Sequence, residues 1–99
     1  MNVKIHSIHF DTDSNLESFI QKKLQKVETF DARIIDAQVI LKLDHNAGSI
    51  KDKIAEIRLK LPGKTLFAEE RSKLFEESVE LAMDSIVRQV KKHKEKIRN

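Results

Sequence analysis

Residues 53–69 read KIAEIRLKLPGKTLFAE, and this stretch decides the fold. Ala55, Ile57, Leu59 and Leu61 alternate with Glu56, Arg58 and Lys60, the period of a strand with one buried and one wet face. Such clean alternation belongs to an antiparallel sheet. Pro62-Gly63 reads as a tight turn, and a further strand is expected from Thr65 to about Glu69. Upstream, Asp44 to Ser49 holds Asn46 and Gly48 and reads as a loop. Before it, Ile35 to Leu43 is a strand with Ala37, Val39, Leu41 and Leu43 on one face and Gln38 and Lys42 on the other.

Periodicity changes on either side of this block. Leu16, Phe19, Ile20, Leu24 and Val27 follow the i, i+3, i+4 spacing of a helix. Asp13 or Ser14 is its expected N-cap, Ser14 with Glu17 having capping-box spacing. A first strand is expected from Val3 to Phe10. Its apolar residues slip phase between Ile5 and Ile8, which suggests a bulge or burial on both faces. Downstream, Ser72 can cap a long last helix with Phe75, Val79, Ala82, Met83, Ile86 and Val90 on its apolar stripe, extended by His93 and Ile97. The expected fold is α+β, in the order β-α-β-β-β-α. The first crossover makes strands one and two parallel, strands two to four form an antiparallel meander, and both helices cover the single apolar sheet face.

Composition bounds the function. The chain has 99 residues, 39% hydrophobic and 35% charged, with 19 Lys plus Arg against 16 Asp plus Glu. That is enough apolar material for one modest core, so residues 1–99 are expected to form one domain. No run approaches the roughly 18 apolar residues of a membrane span. No secretory leader is recognisable near Asp11 and Asp13, so the expected compartment is the cytoplasm. There is no Cys, hence no thiolate metal site and no Cys nucleophile.

Enzymatic signatures are weak. Pro62-Gly63-Lys64-Thr65 resembles the tail of a phosphate-binding loop, but position 58 is Arg rather than Gly and a strand follows instead of a helix. His6 and His9 are three apart in an expected strand and point to opposite faces, so they cannot share a metal; His45 and His93 are isolated. Glu69-Glu70 and Glu76-Glu77 are adjacent pairs, not a facing dyad. No metal, no cofactor and no catalysis are expected.

Charge distribution is more informative. Residues 88–99 read RQVKKHKEKIRN, six bases against one acid, whereas the first half of that helix carries Glu76, Glu77, Glu80 and Asp84. Compensation of the helix dipole, with Asp84 and Arg88 paired at i, i+4, is one explanation. Six bases exceed what a dipole of about half a charge requires. Arg88, Lys92 and Lys96 form an i, i+4, i+8 ridge of like charges, which repel and so suggest an anionic partner. The first helix adds Lys22, Lys23 and Lys26. Lys23 falls inside the apolar arc, either snorkelling over the core or opening into a groove between the helices. Helices lying side by side would pool these cations into a phosphate-binding groove.

The whole chain also resembles the ribosome hibernation promoting factor and ribosome-associated inhibitor family, in its short form. The matching stretches are Leu16 to Ile34 (LESFIQKKLQKVETFDARI), Val39 to Asp44 (VILKLD) and Arg88 to Lys96 (RQVKKHKEK). The resemblance implies a double-stranded-RNA-binding-like fold with an extra first strand. It further implies binding to the small ribosomal subunit and its ribosomal RNA, in the channel for messenger and transfer RNA. By matching position, the implied phosphate contacts are Lys23, Lys26, Arg88, Lys92 and Lys96, more loosely Lys94, with Arg33 a further match. Lys22 and Lys91 are additions that the charge pattern supports. Where the family tends to show Tyr followed by small residues, this chain has Phe75-Glu76-Glu77-Ser78-Val79. The extension of long forms, associated with pairing ribosomes, is not seen, so a monomer that needs a separate pairing factor is expected. Two other readings fit the same charges: a generic double-stranded-RNA or transfer-RNA binder, and a protein-interaction module with an acidic partner.

Overall fold

The computed structural model describes residues 1–44 and 52–98. His45 and most of the loop expected over 44–49 lie outside them. The elements are β1 (Asn2–Ile8), α1 (Ser14–Glu28), β2 (Asp36–Leu43), β3 (Lys53–Leu61), β4 (Lys64–Ser72) and α2 (Phe75–Arg98). They form one sheet of order β1-β2-β3-β4. β1 runs parallel to β2, with Val3 opposite Ala37 and Ile5 opposite Val39. β2–β3 and β3–β4 are antiparallel, with Val39 opposite Ile57 and Ile57 opposite Ala68. The mixed sheet and two helices agree with the order read from the sequence.

The alternating residues of the strands select the face the helices cover. Ala37, Val39 and Leu41, then Ala55, Ile57, Leu59 and Leu61, then Leu66 and Ala68, pack in one core with Leu16, Ile20, Leu24 and Val27 of α1 and Val79, Ala82, Met83, Ile86 and Val90 of α2. The opposite sheet face carries Gln38, Glu56, Arg58 and Lys60 and is left open, apart from the buried Ile54. Fully burying an aliphatic side chain is worth about 1.5–3 kcal/mol, so this one-sided core holds both helices to the same face.

Three local expectations are corrected, and of the two expected α1 caps the structure selects one. β1 neither bulges nor buries two faces: it is an edge strand that stops at Ile8, and His9 then takes a left-handed conformation (φ 68°). That turn brings Phe10 back onto the Phe75 ring, with centroids 4.8 Å apart. The α1 cap is Asp13, whose side chain accepts from the Leu16 N–H at 2.7 Å. Ser72 is no helix cap but the buried last residue of β4, which runs three residues further than expected from Glu69. Ile97 continues the apolar stripe by spacing, yet is 49% exposed because the core no longer reaches it.

Candidate nucleic-acid interface

α1 and α2 lie side by side, and a groove runs between them. Lys23 and Lys26 line it from α1, Arg88 and Lys91 from α2, over a floor of Val27, Met83 and Val87. These cations come together because Leu24 and Val27 are buried in the same turn of α1 that carries Lys23 and Lys26, while Met83, Ile86 and Val90 fix the angular position of α2. Four of the expected cations thus converge.

Their electrostatic states differ. Lys23 Nζ donates to Glu80 Oε1 across the groove at 3.1 Å and lies 5.4 Å from the centre of the Phe19 ring. It is half-buried, so it both snorkels and opens into the groove. Lys91 Nζ sits 4.7 Å from the centre of the Phe30 ring, a cation–π geometry. Lys26 and Arg88 are exposed and have no ion-pair partner among the described residues. Asp84 also lines the groove, but no ion pair joins it to Arg88 at the expected i, i+4 spacing among the described residues.

Lys94 stands beside the groove mouth and donates to the Phe30 carbonyl at 3.1 Å. It shares a shallow hollow there with Thr29, Phe30, Lys91 and Glu95. Arg33 belongs to the same corner but is engaged. Its Nε and Nη2 donate to Asp31 Oδ1 and Oδ2 at 2.9 and 2.6 Å, and its backbone N–H donates to Oδ1 at 3.0 Å. Asp31 is buried, and the Arg33 guanidinium holds its carboxyl down at about 2 against the opposing effect of burial, helped by the nearby Lys94 charge.

The structure separates the other three. Lys22 is on the outer side of α1, in a depression with Ser14, Glu17, Ser18, Gln21 and Gln25. Lys92 and Lys96 leave the groove altogether. They line a hollow on the opposite flank of α2, against β4, with Leu66, Gln89, His93 and Lys64. The ridge Arg88–Lys92–Lys96 winds because four residues advance a helix by about 40° beyond one turn. Lys64 is the residue the sequence reading passed over. Its signal was the Pro62-Gly63-Lys64-Thr65 segment, in which Gly63 at φ 73° closes the turn between β3 and β4.

The family described as sigma 54 modulation protein / S30EA ribosomal protein matches residues 3–98. This chain belongs to that family. Among curated relatives of this S30EA-family chain, the ribosome hibernation promoting factor of Pseudomonas putida is 30% identical over 96 residues, 97% of this chain and 89% of the relative. A solved ribosomal subunit interface protein from Coxiella burnetii superposes with TM-score 0.84 at 26% identity, covering 95% of this chain and 98% of that one. The N-terminal domain of Protein Y from Thermus thermophilus superposes with TM-score 0.80 at 28% identity, covering 94% and 99%. The mixed sheet with two helices is therefore the architecture of its S30EA neighbours.

Proposed function

We propose that the chain is a ribosome hibernation factor, a ribosome-binding domain that docks on the small subunit through ribosomal RNA phosphates and silences it by occupying the messenger and transfer RNA channel. The observation that carries this is the convergence of Lys23, Lys26, Arg88 and Lys91 from two helices on one groove. The name of the Pseudomonas putida relative supports it. Ammonium and guanidinium groups dock on backbone phosphates, which position a protein without reading sequence. Shape then supplies selectivity, as for folded RNA in general. Lys94, Lys92 and Lys96 extend the contact on α2, while Lys22 and Arg33 stand at its margin. The action is exclusion by bulk, with no bond made or broken and no cofactor. The chain works as a monomer in the cytoplasm; no described helix is long and apolar enough to cross a membrane.

Sedimentation of the purified chain with small subunits, in parallel with a free RNA duplex, tests this. Co-migration with subunits that excess messenger and transfer RNA displaces, together with weak duplex binding, is expected. Equal affinity for the free duplex would instead assign a generic double-stranded-RNA binder. Binding that persists alongside messenger and transfer RNA would overturn the exclusion mechanism.

A further inference from the structure

We propose a second phosphate-binding site on the flank of α2 that faces away from the groove, built from Lys64 of the β3–β4 turn with Lys92 and Lys96. This rests on the reading of the chain as an RNA-docking protein and adds a second backbone contact to it.

Lys64, Lys92 and Lys96 line one hollow of about 150 Å³ together with Leu66, Gln89 and His93. The lining contains no carboxylate. In this it differs from the inter-helix groove, which includes Asp84, and from the hollow at Lys94, which includes Glu95. Among the described residues none of the three lysines has an ion-pair partner. Three uncompensated ammonium groups facing one hollow repel one another, and an entering anion relieves that repulsion.

The arrangement is held by rigid parts. Gln89 Nε2 donates to the Phe67 carbonyl of β4 at 2.9 Å and to Ser85 Oγ at 3.1 Å, which fastens α2 to the edge strand. Leu66 is buried beneath. Lys64 is placed by the two-residue turn in which Leu61 pairs with Lys64. A turn and a helix well separated in sequence therefore present their cations together. Lysine ammonium groups are point charges suited to a phosphodiester approached from several directions. Because the hollow and the groove lie on opposite flanks of α2, the two sites receive phosphates from two backbone segments, with α2 wedged between them.

The test is binding to intact small ribosomal subunits across a potassium chloride series, using the wild-type chain, Lys64→Gln, Lys26→Gln and the double variant. Each lost phosphate contact lowers the slope of log affinity against log salt by about 0.7 to 0.9, or about fivefold to eightfold in affinity at 0.1 M salt. Lys64→Gln and Lys26→Gln are each expected to show that loss, and the double variant their sum. A wild-type slope for Lys64→Gln beside a reduced slope for Lys26→Gln would overturn the second site and leave the groove standing. Failure of the wild-type chain to bind subunits at any salt would overturn the RNA-docking reading and the second site with it. A photoreactive group on Lys64→Cys identifies the anion: attachment to RNA supports the site, and attachment only to ribosomal protein overturns it.

Discussion

Lys23 Nζ of α1 lies 3.1 Å from Glu80 Oε1 of α2, spanning the groove. A cation otherwise suited to phosphate is thereby neutralised within the protein. Glu80→Gln frees it. The expected result is a salt slope for ribosome binding steeper by up to about one contact. Thermal stability should change by less than about 1 kcal/mol, since exposed ion pairs contribute little. A flatter slope in the variant would mean that Glu80 serves to aim Lys23 rather than to quench it.

Asp31 and Arg33 give the fold a pH dependence with a definite sign. The Asp31 carboxyl is lowered from 3.8 to about 2, so its contribution is present above about pH 4 and is lost as pH falls toward 2. Arg33→Ala removes the cause. The variant is therefore expected to be less stable than wild type at neutral pH. Urea unfolding should show that gap at pH 7 and see it shrink between pH 4 and pH 2.

Ser78 ties the first turn of α2 to the sheet. Its hydroxyl donates to the Lys53 carbonyl at 2.6 Å and approaches the Leu74 carbonyl at 3.2 Å, and the residue is fully buried. Ser78→Ala removes the bond to the Lys53 carbonyl and is expected to cost about 0.5–1.5 kcal/mol. Ser78→Val, which adds bulk to the same buried site, should cost more. Chemical denaturation of both variants orders these effects.

Gly63 separates backbone strain from packing. Its φ of 73° is left-handed, yet a Cβ there would meet nothing within 4 Å. Gly63→Ala is expected to cost about 1 kcal/mol from conformation alone. Denaturation of the variant measures it, and a cost above about 3 kcal/mol would point to disruption of the whole β3–β4 hairpin.

The strand and helix order was legible because it rests on local period: Ala55, Ile57, Leu59 and Leu61 can only share one face, and Leu16, Ile20, Leu24 and Val27 can only share one stripe. The end of β1 was not, because a phase slip at Ile5–Ile8 looks alike whether a strand bulges or stops, and His9 carries no sequence signal for φ 68°. Ser72 has the composition of a cap, but pairing with Lys53 takes it into β4. At the site, Lys23, Lys26 and Arg88 were readable from their helix positions. Lys92 and Lys96 were expected in the groove with Arg88, but the advance of the helix carries them to its other flank. Lys64 reaches them only through the hairpin, a long-range placement that local spacing does not encode.

The groove itself is tested most directly by reversing its two unpaired cations together, Lys26→Glu with Arg88→Glu, and sedimenting the variant with small ribosomal subunits at 0.1 M salt. Both side chains are exposed, so the circular dichroism spectrum and unfolding midpoint should stay close to wild type. The expected result is a loss of affinity of more than about fiftyfold, two phosphate contacts at fivefold to eightfold each plus repulsion. Wild-type co-migration with an unchanged salt dependence would contradict the account.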